Sequence, residues 1–222
     1  MKTHGVWTAA VIGAVFAATL SLGVLPASAA TPKANPDGVA SPGSASVVQN
    51  GTTKSITGLA RCDVDNKASA SSPGASIANI VSYGSASSTC TKDATADTTK
   101  SVANGSKFEL DALVPYGGPR IRFTSYQVSC AATTGGTSAN WTFSGMTGLT
   151  GLPQQIPTDY TQTIKGSQNK VVAKVVLNEI ILPNPNDGSI RLHLMHIVLF
   201  PNGGGPLSGN IYLGSTACSP TF

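Results

Sequence analysis

The chain has 222 residues and a formal net charge of +4, with 11% charged and 41% hydrophobic residues. The 24 Gly and 14 Pro, together with abundant Ser and Thr, argue against a coiled coil or helical bundle, which needs Glu, Lys, Ala and Leu with few breakers. The apolar fraction argues against a highly charged disordered protein, and the lack of any run of like charge argues against nucleic acid as a partner.

Met1 and Lys2, the uncharged apolar stretch Val6–Leu25, Pro26, and the small residues Ala27, Ser28 and Ala29 predict a signal peptide over residues 1–29, cut before Ala30. No Cys stands directly after the cut, as a lipid anchor would need, and no apolar tail closes the chain, so the expected location is extracellular, with at most a loose association with the cell wall. Residues 30–46 are rich in Pro, Ser and Ala and are expected to form a flexible leader. Residues 47–222 are expected to form one β-rich domain.

Within that domain, short apolar or alternating runs are separated by turn formers. They are Ser46–Asn50, Ser55–Ala60, Ser76–Tyr83, Lys107–Val114, Arg120–Ser129 and Trp141–Met146, then Tyr160–Ile164, Val171–Leu182, Ser189–Phe200 and Gly209–Ala217. They are rich in Val, Ile, Thr and aromatics, and no segment free of Gly and Pro sustains helical periodicity. The expected fold class is all-β, a mainly antiparallel sandwich or barrel. The clearest unit is a hairpin, with Val171–Leu182 and Ser189–Phe200 as its arms. Pro183 and Pro185 end the first arm, and Asp187-Gly188 supplies the return.

Four Cys follow the signal: Cys62, Cys90, Cys130 and Cys218. In an oxidising compartment an even number predicts two disulfides. Three connectivities are possible, of which Cys62–Cys90 with Cys130–Cys218 is preferred.

Residues 119–218 carry a set of ordered motifs. They are Phe123–Cys130 (FTSYQVSC), Thr142–Gly148 (TFSGMTG), Val176–Glu179 (VLNE), Ser189–Ile197 (SIRLHLMHI) and Gly209–Cys218 (GNIYLGSTAC). In type and order these resemble the C-terminal half of the choice-of-anchor P proteins of actinobacteria and related groups. The resemblance implies a secreted or surface β domain of unassigned activity and supplies no catalytic residue. Cys62 and Cys90 have no place in the family pattern.

Several residues invite chemical readings. His193 and His196 lie three apart on a predicted strand, where alternation sends them to opposite faces; a shared metal site requires a bulge to bring them together. The expected partner of His196 is Glu179 or Asn178 on the neighbouring strand, as a buried polar pair. Glu109 and Asp111 share a face, and with Glu179 they are the carboxylates from which a glycan-active hydrolase would be built. No GxSxG elbow, P-loop or GxGxxG occurs. The segment Asp63–Asn66 lacks the Gly and Glu of a calcium loop and is expected to be a turn. Trp141 is expected to pack on the core, with an edge position as a candidate binding surface. The sequons at Asn50 and Asn140 are set aside because the export signal looks bacterial.

These observations lead to the expectation of a non-enzymatic secreted or envelope-associated protein with a structural, adhesive or interaction role and no cofactor. Cell-wall polysaccharide or another surface protein is the expected partner. The polar, Gly-rich loops Thr133–Asn140 and Pro201–Pro206 are expected to make the contacts. A carboxylate hydrolase and a metal-binding module are the alternatives.

Overall fold

Short alternating runs punctuated by Gly, Asn and Asp fold here into fourteen strands, in a computed structural model that describes residues 37–221. The first seven strands are β1 (Gly38–Gln49), β2 (Thr52–Leu59), β3 (Cys62–Asp63), β4 (Ser69–Ser72), β5 (Ala75–Ile77), β6 (Val81–Tyr83) and β7 (Ala86–Asp93). The rest are β8 (Thr98–Leu110), β9 (Ile121–Thr133), β10 (Gly136–Ser144), β11 (Tyr160–Lys165), β12 (Val171–Ile181), β13 (Ile190–Leu199) and β14 (Leu207–Cys218). The only helical pieces among the described residues are two 3-10 turns, Val114–Tyr116 and Ser167–Asn169.

The strands form two antiparallel sheets. One runs β11-β12-β13-β14-β1-β2, with β3 on the edge of β1. The other runs β10-β9-β8, beyond which β8 pairs with β7 along one half and β6 along the other. The inner faces meet in one core. The first sheet contributes Val175, Leu177, Leu192, Leu194, Ile197 and Leu213, and the second Phe108, Leu110, Ile121, Phe123 and Val128, all 1% exposed or less. Each such side chain is worth about 1.5–3 kcal/mol of burial. The expected hairpin is present as β12 and β13, with Val176 opposite His196.

Two expectations are corrected. The composition predicts a leader over residues 30–46, but Gly38–Ser46 belongs to β1, which sits between β14 and β2. Small residues suit this position because β1 passes close over the other sheet. A Cβ at Gly43 would overlap the Tyr83 ring, so a stretch that looks like linker is a central strand. Residues 30–36 of the leader and the signal peptide lie outside the described residues. Likewise, only Thr134 and Gly135 of the expected Thr133–Asn140 loop turn the chain; from Gly136 onward the backbone pairs with β9. Gly135 and Gly136 allow a tight hairpin, after which β10 alternates, with Ser138, Asn140 and Thr142 exposed and Ala139, Trp141 and Phe143 packed on the core.

Both disulfides form in the preferred pairing, with Cα separations of 5.7 Å for Cys62–Cys90 and 6.0 Å for Cys130–Cys218. Each links one sheet to the other: β3 to β7, and β14 to β9. They lie side by side, because Ser101 of β8 is paired with both Cys90 and Cys130. One end of the sandwich is therefore clamped twice. The inward positions near it are small: Ser88, Thr99, Ser101 and Ala103.

Candidate functional site

The outer face of the first sheet owes its chemistry to a fault in the pleat. Between β12 and β13 the register runs from Leu177↔Met195 to Glu179↔His193. From β13 to β14 it runs from Met195↔Leu213 to His193↔Ser215, and from β14 to β1 from Leu213↔Gly43 to Ser215↔Ser41. Asn178, Leu194, Gly214 and Pro42 thus form a row without ladder pairs across four strands. Asn178 and Gly214 have φ of 54° and 61°, and the side-chain alternation shifts phase at this row. Leu194 and Met195 are both fully buried.

That phase shift overturns the expectation that His193 and His196 point to opposite faces. Both stand on the outer face, with ring centroids 6.5 Å apart. Tyr212 on β14 lies 4.7 Å from the His193 ring and 4.4 Å from the His196 ring, nearly parallel to the latter.

His196 makes the expected pair with Glu179: its Nδ1 is 2.9 Å from Glu179 Oε1. Its Nε2 is 2.8 Å from Asn210 Oδ1. Both ring nitrogens thus face oxygen acceptors and donate to them when the ring is an imidazolium. Burial opposes the charged ring, but the hydrogen bonds to Glu179 and Asn210 and the Glu179 charge outweigh it, so the His196 pKa is raised. Burial likewise works to raise the Glu179 pKa, and the hydrogen bond and charge of His196 turn the balance to a lowered value. Asn178, the other expected partner, instead donates its amide to the Ile156 carbonyl at 3.4 Å.

His193 stands apart from that pair. Its Nδ1 is 2.7 Å from Ser215 Oγ, and it is 8% exposed. Burial lowers its pKa to about 4 despite the opposing charge of Glu179, so it is neutral at ordinary pH.

This arrangement contains Ser, His and Glu but not a relay. The histidine beside the serine is not the histidine on the carboxylate, whereas a triad needs one imidazole between the two. Nor do the two rings converge on a metal, because both nitrogens of His196 are taken. Among the described residues, no group of three or more His, Cys, Asp or Glu is placed to hold a metal ion.

The remaining expected residues lie elsewhere. Glu109 and Asp111 are close together, yet both face guanidinium groups. Arg122 donates through Nε to Glu109 Oε2 at 2.7 Å, and Arg120 Nε bonds Asp111 Oδ1 while lying 3.3 Å from Glu109 Oε1. The Arg122 hydrogen bond holds the Glu109 pKa below its usual value. These two carboxylates are on the second sheet and Glu179 is on the first, so the three do not meet. The segment Asp63–Asn66 is the expected turn, with Asp63 Oδ1 accepting from the Asp65 backbone N–H at 3.0 Å. Trp141 sits on the edge strand β10, half-buried against the core and stacked 5.6 Å from Phe143.

The loop Pro201–Pro206 lies at the end opposite the disulfides. There it walls a cleft of about 520 Å³ with Tyr116, Gln168, Lys170 and Phe200. Tyr116 and Phe200 meet edge to face at 5.0 Å. Phe200, Gln168 and Asn169 have φ of 46°, 57° and 60°, sparsely populated values that recur at ligand clamps. Sequence reading marked the loop but missed its other wall, because Tyr116 and Gln168 come from two short turns distant along the chain.

Comparison with protein-family models, with curated proteins and with solved structures finds no match.

Proposed function

We propose that this chain is a secreted, non-enzymatic recognition module that holds a ligand at its unclamped end. The observation that carries the reading is the separation of roles along the sandwich. Two inter-sheet disulfides stiffen one end, and at the other three chain segments meet in a cleft with two aromatic rings, amide groups and Lys170. A rigid sandwich presenting a loop-lined end is a common way to build a binding surface. Aromatic faces beside amide donors suit sugar rings, so cell-wall polysaccharide is the partner class of choice.

The export signal of residues 1–29, the two disulfides and the resemblance of residues 119–218 to choice-of-anchor P proteins support an extracellular setting. No helix among the described residues is long and apolar enough to cross a membrane.

Co-sedimentation of the purified protein with isolated cell walls and insoluble polysaccharides tests the reading, at low and at high salt. The expected result is saturable binding that survives high salt and is lost when Tyr116 is changed to Ala or Pro201–Pro206 is replaced by Gly-Ser. Binding that disappears with salt alone reflects a mildly basic protein on an anionic wall and overturns the proposal.

A further inference from the structure

A second hollow, of about 260 Å³, lies on the outer face of the first sheet beside His193. Arg61, Arg191, Ser41 and Ser215 contribute polar groups to its wall, and Val39 and Ala217 contribute methyl groups. We propose that this hollow is a receptor for a small carboxylate carrying a short aliphatic group, with Arg191 as its principal anchor.

The argument begins with Arg191. Its side chain is partly withdrawn from water, yet its guanidinium makes no hydrogen bond or ion pair among the described residues. Its planar fork of five donors takes no acceptor from the protein and is still reached by water, so a bound planar anion can engage it without breaking an internal contact. On the same face, Glu179 is bonded to His196 through Oε1 and makes no ion pair with Arg191. Across the hollow, Arg61 makes an ion pair with Asp63 at 3.8 Å, and its side chain is 58% exposed, so it can turn toward a ligand by giving up that contact. No acidic residue lines the hollow, so the Arg191 charge is unopposed there, while that of Arg61 is shared with Asp63.

Ser215 adds a directed donor. In the tautomer that carries the proton on His193 Nδ1, that N–H donates to Ser215 Oγ and leaves the serine O–H to point into the hollow. The choice of carboxylate over phosphate follows from shape. A guanidinium fork matches a planar carboxylate through two parallel hydrogen bonds. The apolar floor of Val39 and Ala217 accommodates a methyl or ethyl stem but offers nothing to the further oxygens of a tetrahedral dianion. The site lies on the sheet face, apart from the cleft of the proposed recognition end, and neither depends on the other.

Propionate, N-acetylalanine, its uncharged amide and inorganic phosphate should be titrated at constant ionic strength, following the His193 and Ser215 resonances by NMR. The expected result is saturable binding of the carboxylates, at least tenfold tighter than the amide or phosphate. A preference between propionate and N-acetylalanine identifies a free acid or a peptide end as the source. Arg191→Gln is expected to weaken binding at least tenfold, and Arg191→Lys, which keeps the charge but loses the fork, by an intermediate factor. Arg61→Gln is an exposed substitution expected to leave folding intact, and it should weaken binding severalfold. Phosphate binding as tight as carboxylate, equal affinity for the amide, or an affinity indifferent to both Gln variants overturns the proposal.

Discussion

The two histidines of the described residues should drive stability in opposite directions with pH. The His193 pKa falls from 6.5 to about 4 on folding, so between these values the unfolded chain binds more protons than the folded one. Stability therefore rises with pH across this window. At 1.36 kcal/mol per pKa unit, the whole window is worth about 3 kcal/mol. The His196 pKa is raised, so its contribution is complete below pH 6.5 and is lost as pH rises through the folded value. The Glu179 pKa is lowered; its side of the same pair is complete above pH 4.5 and is lost as pH falls through the folded value. The expected profile is a maximum near pH 6.5, with an acid limb owed first to His193 and an alkaline limb owed to His196. Urea unfolding from pH 4 to 8 measures it, with His193→Asn and His196→Gln as the informative variants. His193→Asn should flatten the limb between pH 6.5 and 4, and His196→Gln the limb above 6.5. An NMR titration showing His193 protonating near 6.5 would refute the reasoning, because the burial invoked here would then be absent.

The remaining expectations concern the scaffold. Gly214→Ala places a Cβ at positive φ and 2.9 Å from Val128 Cγ1, whereas Gly151→Ala has a similar φ and nothing within 4 Å. Both should lose about 1–2 kcal/mol of backbone energy, and only Gly214→Ala should lose more, as urea midpoints will show. Replacing both Cys of the 88-residue separation by Ser should cost about 4–5 kcal/mol and of the 28-residue one about 3–4 kcal/mol, from loop-closure entropy; thermal unfolding of the two double variants, with unequal losses in that order, is the check. A chain beginning at Val47 lacks most of β1 and should not fold, whereas one beginning at Asp37 keeps that strand whole; near-ultraviolet circular dichroism distinguishes them.

The all-β class, the β12–β13 hairpin, the disulfide pairing and the Glu179–His196 contact were legible because each rests on a local pattern or on adjacent strands. The strands richest in Ser, Thr and Ala were not. Ala86–Asp93 and the first half of β8 have inward positions filled by Ala86, Ser88, Cys90, Thr99, Ser101 and Ala103. Beside two inter-sheet disulfides there is little room for larger side chains, so the alternation of apolar and polar residues that marks a strand is muted there. The same reasoning covers Gly38–Ser46, whose small residues allow close approach but resemble a linker in composition. Sequence alone also splits the cleft at the open end, since Tyr116, Gln168 and Phe200 acquire a common address only when the sheets stack.

The shared face of His193 and His196 depends on an event that no single strand reveals. Pro42-Gly43, Asn178 and Gly214 each look like an isolated turn former inside an extended run. Their coincidence in one transverse row appears only when four registers are known. Its physical cause lies in the opposite sheet. Tyr83, which is 3% exposed, sends its ring against Gly43, and its hydroxyl lies 2.8 Å from the Ser44 carbonyl and 2.9 Å from that of Tyr212. Tyr126 fills the neighbouring space, 3.5 Å from where a Cβ on Gly214 would lie. Two bulky rings therefore press on β1 and β14 where those strands lack side chains, and the carbonyls flanking the fault turn inward to satisfy the Tyr83 hydroxyl. The pleat yields across the sheet, and the alternation restarts one residue out of phase. The polar face with its two histidines, and the hollow between Arg61 and Arg191 beside it, thus follow from how two buried tyrosines are accommodated.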